Sequence, residues 1–340
     1  MAIDVLERDD LPFPRSLLEF QRLFPDEAAC AAYLERARWG GGFVCPHSGT
    51  IGDPYRYSAR PGVLCCRKCR RETRLTAGTV MERTHTPLSA WFWAAYLVAS
   101  QTPGMSAIQF QRQLGLSRYE TAFQILHKLR AGMVRPDQDL IGGKPGEAVE
   151  ADETWVGGRT RGKGRGVHGM VLVAGAVEVR QRKRASSLNK RKAGRYAGRV
   201  RLALVPGRSA KSLGGFIEST VAPGTRIITD DWSGYAGLSK RGYGHVSIAE
   251  RGDTQVAEEF MPIIHLVFSN LKTWLRGIHH GVSPQHLQAY LNEFTFRFNR
   301  RFYPFNAFRS LLGIAGGVSA PTYAELYAAK SRTTTSSGCL

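Results

Sequence analysis

The sequence has few acidic residues and no long apolar run. Its 340 residues include 28 Asp and Glu against 47 Lys and Arg, a formal net charge of +19. No stretch approaches the roughly 20 consecutive apolar residues of a membrane-spanning helix, and the acidic, broken N-terminus does not look like a secretory signal. We therefore expect an intracellular protein without a membrane partner. The excess of basic charge favours a polyanionic partner, above all nucleic acid.

Cysteine is also scarce, and its placement argues against disulfides. Four of the six cysteines fall within residues 45–69, whereas Cys30 and Cys339 lie far from them. In a reducing compartment such a cluster indicates a metal site more often than a disulfide framework. Cys30 follows Asp26, a predicted helix N-cap, and lies on the apolar side of that helix, so we expect it to be a small core residue.

The clustered cysteines have nearly the spacing of a zinc ribbon, in which two short turns each supply two ligands. Cys66 and Cys69 form one complete turn, but the other turn has Cys45 followed by Ser48 where a second cysteine is expected. We predict that His47 supplies the missing ligand, which gives a Zn²⁺ site of Cys45, His47, Cys66 and Cys69. The alternative is a degenerate ribbon that no longer binds metal.

Residues 88–133 carry helical periodicity with a break in the middle. The apolar pattern that starts at Ser106 stops at Gly115 and resumes after Ser117, which is typical of a helix-turn-helix. Arg118, Lys128 and Arg130 are its candidates for phosphate or base contacts. A helical hairpin with a purely structural role would have the same pattern.

After a linker rich in Pro and Gly at residues 135–146, predicted strands and helices alternate. This order favours an α/β layer fold. The predicted strands are Ala148–Val156, Met170–Val179, Arg199–Val205, Arg226–Asp230 and His245–Ile248, and the helices are Ala210–Thr220 and Ser283–Asn299.

Two acidic motifs stand out in this basic chain, and each follows a predicted strand. Asp152 follows the strand-like residues 148–151 and Asp230 follows residues 226–229, and carboxylates at neighbouring strand ends can converge on divalent metal ions. Either residue alone is better explained as a strand-end cap or a surface acid. Together they indicate metal-dependent phosphodiester chemistry.

The third element of such a site is expected on a later helix, but residues 265–282 contain no acid. In that segment Asn270 can offer a neutral oxygen to a metal ion, and Lys272 or Arg276 can hold a phosphate group.

The segment from Arg159 to Lys211 is strongly basic, with 16 Lys or Arg and a single acid, Glu178. A solvated loop is the simplest explanation, but so large an imbalance favours an arm that contacts DNA phosphates. The candidate contacts are Arg180, Lys183, Arg184, Lys190, Arg191 and Lys192.

From about Phe20 to Arg301 the chain resembles the ISXO-like group of insertion-sequence transposases. The resemblance depends on several motifs that occur in one order. They include Phe43-Val-Cys-Pro46, Val149-Glu-Ala-Asp-Glu-Thr-Trp155, Thr229-Asp-Asp-Trp-Ser-Gly-Tyr235, Ser269-Asn-Leu-Lys-Thr-Trp-Leu-Arg276 and Arg297-Phe-Asn-Arg-Arg301.

The resemblance implies an RNase H-like catalytic domain of the DDE type, preceded by a zinc ribbon and a helix-turn-helix. It also implies two Mg²⁺ or Mn²⁺ ions and the cleavage and transfer of strands of double-stranded DNA. Carried over to this sequence, Asp152 and Asp230 become metal ligands, Asn270 takes the place of the usual Glu, and Lys272 is the basic partner. Asp231 falls where the family often has Gly and is left out of the site.

We accordingly expect N-terminal helices in residues 1–40, a zinc ribbon in 41–82, a helix-turn-helix region in 83–135, a catalytic domain in 147–312 and a tail in 313–340. The expected protein is a cytoplasmic, nucleoid-associated transposase that binds transposon ends and target DNA, at least as a dimer. Two alternatives remain open. One is a DNA-binding regulator without activity, and the other is a nuclease that cuts without joining.

Overall fold

The structure is a computed structural model that describes residues 11–101, 103–135, 138–157, 169–181, 194–249, 259–317 and 321–327. Its N-terminal part begins with helices α1 (Leu17–Leu23) and α2 (Glu27–Arg38). A small antiparallel sheet follows, with β1 (Tyr55–Tyr57), β2 (Arg60–Cys65) and β3 (Glu72–Arg74) in that spatial order. Three further helices are α3 (Leu88–Ser100), α4 (Ala107–Gln113) and α5 (Tyr119–Ala131).

The predicted start of α2 is confirmed by its cap. The Asp26 carboxylate accepts a hydrogen bond of 2.8 Å from the backbone N–H of Ala29, which satisfies one of the donors that a helix start leaves open. Cys30, one turn into the helix, is fully buried in the N-terminal core as expected.

The pair α4 and α5 forms in the predicted region, with a short turn between the helices. Gly115 has a φ of +61° in this turn, a conformation that glycine adopts without steric cost. The N-cap of α5 is Arg118, directly after Ser117, and its side chain makes no capping bond. The two helices are confirmed, whereas their assignment as a helix-turn-helix stays a prediction.

A five-stranded sheet follows, built from β4 (Ala148–Gly157), β5 (Met170–Gln181), β6 (Arg195–Leu204), β7 (Arg226–Asp230) and β8 (Gly244–Ile248). Its spatial order is β6-β5-β4-β7-β8. β4, β5 and β6 pair antiparallel, whereas β7 and β8 run parallel to β4. Every predicted strand is present, although β6 begins at Arg195 instead of Arg199.

Helices cover both faces of this sheet, which confirms the predicted α/β layer fold. The remaining helices are α6 (Ala210–Thr220), α7 (Pro262–His279), α8 (Leu287–Asn299), α9 (Pro304–Ala315) and α10 (Tyr323–Tyr327). Of these, α6 covers one face of the sheet, and α7 and α8 cover the other. Val173 and Val177 of β5 pack in one core with α7 and α8, while Leu172 and Ala174 pack in another with α6. Because both faces are covered, β5 has an almost unbroken apolar run.

The C-terminal helices also join the five-stranded sheet to the N-terminal part. Phe308 of α9 lies in the same core as Trp91 of α3. The Nε of Arg130 on α5 forms a 2.7 Å ion pair with Glu293 of α8, and both side chains are 2% exposed. Arg130 is therefore not available to DNA, contrary to the prediction, because the end of α5 packs against α8. No helix in the described part of the chain is long and apolar enough to cross a membrane.

Candidate active site and zinc centre

The parallel pairing of β4 with β7 brings Asp152 and Asp230 together. Glu150 is opposite Ile228 in this pairing, and two residues further along both strands stand the two aspartates. Burial first, and then the negative charge of Asp152, raise the pKa of Asp230 to about 6. The structure thus places two like charges side by side, although Asp152 lies within β4 and only Asp230 ends its strand.

Each of these carboxylates has one oxygen bonded to the backbone and a second one facing a side chain. Asp152 Oδ1 accepts from the N–H of Glu153 at 2.7 Å, and Asp230 Oδ1 accepts from that of Trp232 at 3.2 Å. Asp152 Oδ2 lies 3.4 Å from Nε2 of His265 on α7. Asp231 instead accepts from the Ser247 hydroxyl at 2.8 Å.

The structure does not bring Asn270 to the aspartates. At 3.6 residues per turn, Asn270 points about 140° away from His265 around α7, whereas Lys272 points within about 20° of it. Asn270 is exposed and lines a separate cavity of about 590 Å³ with Gln101 and Trp274. The residue that α7 presents to Asp152 is His265, which sequence reasoning did not select because a single histidine among apolar residues is no signal of a site.

Lys272 and Arg276 lie on the same flank of α7 as His265. Burial first, and then the charge of Arg276, lower the pKa of Lys272, while the charge of Asp152 opposes this shift. Lys272 therefore lies close enough to Asp152 to interact with it electrostatically, in agreement with its predicted role beside the acids. Arg276 is exposed.

Glu150 fixes the start of α7. Its Oε2 accepts hydrogen bonds of 2.8 Å from the backbone N–H groups of both Ile263 and Ile264. The side chain is fully buried, and burial raises its pKa to about 7. Because side chains two apart in a strand point to the same face, Glu150 anchors the helix on the face where Asp152 meets His265. Sequence reasoning treated this acid only as part of the motif.

A second network borders Asp230. The buried Glu153 carboxylate accepts from the Tyr235 hydroxyl at 2.6 Å and from Nε of Arg208. The Arg208 guanidinium lies 3.9 Å from the ring centroid of Trp232 and 3.8 Å from Asp230 Oδ2. Arg208 is thus a positioned cation at the rim of the site, and the sequence held no signal for it.

The cysteine cluster converges as predicted, but His47 is not part of it. The sulfur atoms of Cys45, Cys66 and Cys69 all lie within 4.8 Å of one another. The side chain near them in the fourth position is Ser48, whose Oγ lies 3.7 Å from Cys66 Sγ. Ser48 follows Cys45 by three residues, as Cys69 follows Cys66, so the same turn directs the Ser48 hydroxyl toward the sulfur atoms, although Ser48 and His47 are both exposed.

The electrostatics of this cluster suit a cation. The backbone N–H of Cys69 is the largest of the influences that lower the pKa of Cys66 to about 6. Thiolates are the form of cysteine that binds Zn²⁺. The site therefore offers three sulfur ligands and one hydroxyl.

Comparison with known families agrees with both centres. Residues 144–299 match the ISXO2-like transposase domain, and residues 25–72 match the transposase zinc-ribbon domain. The chain belongs to the ISXO2-like transposase family. Searches among curated proteins and among solved structures found no match. In this transposase the zinc-ribbon match and the three-cysteine cluster together support Zn²⁺ binding.

The predicted DNA contacts of the transposase differ in how accessible they are. Arg118 and Arg276 are exposed. Lys128 is half-buried and donates to a main-chain carbonyl at 3.2 Å, and Arg180 donates to the Glu178 carboxylate at 2.7 Å. These two side chains are therefore already engaged within the protein. Lys183, Arg184, Lys190, Arg191 and Lys192 lie outside the described residues.

Proposed function

We propose that this protein is an insertion-sequence transposase that cleaves DNA and transfers its strands at the site of Asp152 and Asp230. The observation that carries the proposal is the pairing of these carboxylates on parallel strands, with His265 3.4 Å from Asp152. The strand order, with three antiparallel strands followed by two parallel ones, supports an RNase H-like catalytic domain.

The residues present fit divalent metal ions. Asp230 has a raised pKa partly because of Asp152, so a bound cation would relieve a repulsion that already exists in the protein. Carboxylate oxygens suit Mg²⁺ and Mn²⁺, and an imidazole is an acceptable ligand for transition metals. Asp152, Asp230 and His265 would hold these ions. When bound, paired ions activate a water or 3′-hydroxyl nucleophile and stabilise the leaving oxygen.

Cationic side chains lie beside the carboxylates and would bind the phosphate groups of DNA. Lys272 and Arg276 share the flank of α7 that faces Asp152, and Arg208 stands next to Asp230. They would hold the scissile phosphate and offset the negative charge that develops during in-line attack. Glu153 and Trp232 keep Arg208 in place, so this charge is positioned before DNA binds. The reaction needs no covalent link between protein and DNA.

Recognition of transposon ends is assigned to the N-terminal part. Arg118 is exposed at the start of α5, where the second helix of a helix-turn-helix meets the major groove. Pairing of two ends requires at least a dimer on the DNA, and its place of action would be the nucleoid.

A strand-transfer assay tests the proposal. Purified protein is incubated with DNA that carries the sequences flanking its own gene, a target plasmid, and Mg²⁺ or Mn²⁺. We expect joined products that disappear in Asp152→Ala and Asp230→Ala, while Asp231→Ala, which changes an acid outside the site, keeps them. Binding without cleavage would favour the regulator, and cleavage without joining would favour the nuclease.

A further inference from the structure

A second charged site lies away from the aspartates, where the linker between α5 and β4 meets β6 and α8. It is a cavity of about 560 Å³, a size typical of ligand sites. Four arginines line it, namely Arg135, Arg199, Arg201 and Arg300, and the acid among the lining residues is Asp139. Asp139 is exposed to solvent, so water screens its charge.

Arg201 is the central cation of this cavity. Its guanidinium donates to the main-chain carbonyls of Asp139 at 2.7 Å and Val200 at 3.1 Å, which are neutral acceptors. Arg199, by contrast, is neutralised by an ion pair of 2.8 Å with Glu178. Burial first, and then the charge of Arg199, lower the pKa of Arg201. The charges of Glu178 and Asp139 oppose this shift, but among the described residues no carboxylate forms an ion pair with Arg201.

The wall of the cavity also carries hydroxyl groups that lack partners. Ser310 is 2% exposed, and its Oγ has no hydrogen-bond partner among the described residues. The same holds for Oγ1 of Thr295, which lines the cavity as well. A buried polar group without a partner costs about 1–3 kcal/mol, and such a group calls for a ligand or an ordered water.

The ligand chemistry follows from the sign of the charges. Water alone would satisfy the hydroxyls, but it would leave the charge of Arg201 without a counter-ion. A phosphate group would satisfy both, since guanidinium and hydroxyl donors are its usual partners.

We propose that this cavity binds a phosphodiester group of a DNA strand through Arg201 and Ser310. The inference rests on the proposed DNA-binding function and adds a contact that this function does not assign. A strand is favoured over a free anion because of position. The cavity adjoins the linker between the proposed recognition helix α5 and the catalytic sheet, where DNA held by both would pass.

The test measures DNA binding by the full-length, zinc-loaded protein at several salt concentrations. A fluorescein-labelled duplex is titrated without Mg²⁺ or Mn²⁺, so that no cleavage occurs. Arg201→Gln is compared with wild type and with Arg22→Gln, which removes the same charge from an exposed position on α1. We expect Arg201→Gln to lower the slope of log K against log salt by about 0.9, the value of one lost phosphate contact on duplex DNA. Arg22→Gln should keep the wild-type slope.

Ser310→Ala provides a variant that does not endanger the fold. It removes a buried hydroxyl without a protein partner, so the melting temperature should not fall, while the Kd for the duplex should rise several-fold. If wild type binds DNA and both variants keep its slope and Kd, the inference is overturned and the DNA-binding function stands. If wild type binds no duplex, the inference and the proposed DNA-binding function both fail.

A second experiment distinguishes the binding of a DNA strand from the binding of a small anion. The melting temperature is measured with inorganic phosphate and with pyrophosphate. If these anions stabilise wild type but not Arg201→Gln, while the DNA slopes of the two proteins agree, the cavity is a site for a free anion and the strand assignment is wrong. A cavity that holds only water would give neither effect, which also overturns the proposal.

Discussion

His265 on α7 places its Nε2 3.4 Å from Oδ2 of Asp152 on β4. This contact decides which side of α7 faces the acids. Lys272, two turns further along, lies on the same side, and Asn270 does not. The third ligand of the proposed metal site is therefore expected to be an imidazole, whereas the family resemblance implies the Asn270 amide.

The two assignments predict opposite mutational results. His265→Ala should reduce strand cleavage at least about 100-fold, since even groups that only support metal ligands cost 10–100-fold when lost. Asn270→Ala should retain most of the activity, because its side chain opens into another cavity. Cleavage rates at increasing Mn²⁺ concentration measure both effects. An inactive Asn270→Ala beside an active His265→Ala would restore Asn270 as the ligand.

Glu150 should control both stability and activity through the start of α7. In Glu150→Ala the N–H groups of Ile263 and Ile264 lose their acceptor, which should cost about 1–3 kcal/mol for each buried donor left unpaired. Glu150→Gln keeps an acceptor oxygen at the same place and should be much milder. Urea denaturation and the cleavage assay measure the two consequences. Equal stability of Glu150→Ala and wild type would show that the helix start does not depend on this contact.

The sheet could be predicted from the sequence because its strands carry their own pattern. β5 is an almost unbroken apolar run and β7 is an apolar run that ends in Asp230, as expected for a sheet with both faces covered, so periodicity and length sufficed. The orientation of α7 could not be predicted in this way. It depends on where the helix begins, and that is set by Glu150, which lies more than a hundred residues earlier in the chain.

The surroundings of Arg130 and His47 could not be predicted from the sequence for a related reason. Arg130 looks like any basic residue at the end of an amphipathic helix, and only its packing against α8 shows that Glu293 neutralises it. His47 looks like a better zinc ligand than Ser48, but the turn directs the side chain three residues after Cys45 toward the sulfur atoms. Ligand identity followed the local geometry of the turn rather than the chemistry of the side chain.

Ser48→Cys should strengthen the zinc centre. The Ser48 hydroxyl already lies 3.7 Å from Cys66 Sγ, so a cysteine there completes a tetrahedral set of four thiolates. We expect slower zinc release to a chelator and a higher melting temperature than in wild type. His47→Ala is the matched control at the neighbouring exposed residue and should leave both quantities unchanged. Zinc loss in His47→Ala would instead support the histidine as the fourth ligand.

The buried side chain of His127 should make the protein less stable at mildly acidic pH than at neutral pH. This residue of α5 is 2% exposed, lies against His286 and Tyr290, and its Nε2 has no partner among the described residues. Burial first, and then the charge of Arg130, lower the pKa of His127 to about 2. In the unfolded chain His127 takes up a proton near pH 6.5, whereas in the folded protein it stays neutral at that pH. Stability is therefore retained above that pH and lost as the pH falls below it.

The expected size of this effect depends only on the unfolded state, as long as the folded pKa stays below the pH that is used. Each pH unit below about 6.5 should cost about 1.4 kcal/mol, or roughly 2 kcal/mol at pH 5. Urea denaturation at pH 7.5 and pH 5 measures the loss, and His127→Phe should reduce it by that amount. The same substitution at the exposed His85 should not. If His127→Phe loses as much stability between pH 7.5 and pH 5 as wild type does, the prediction is wrong, and the packing of α5 against α8 tolerates a charged imidazole.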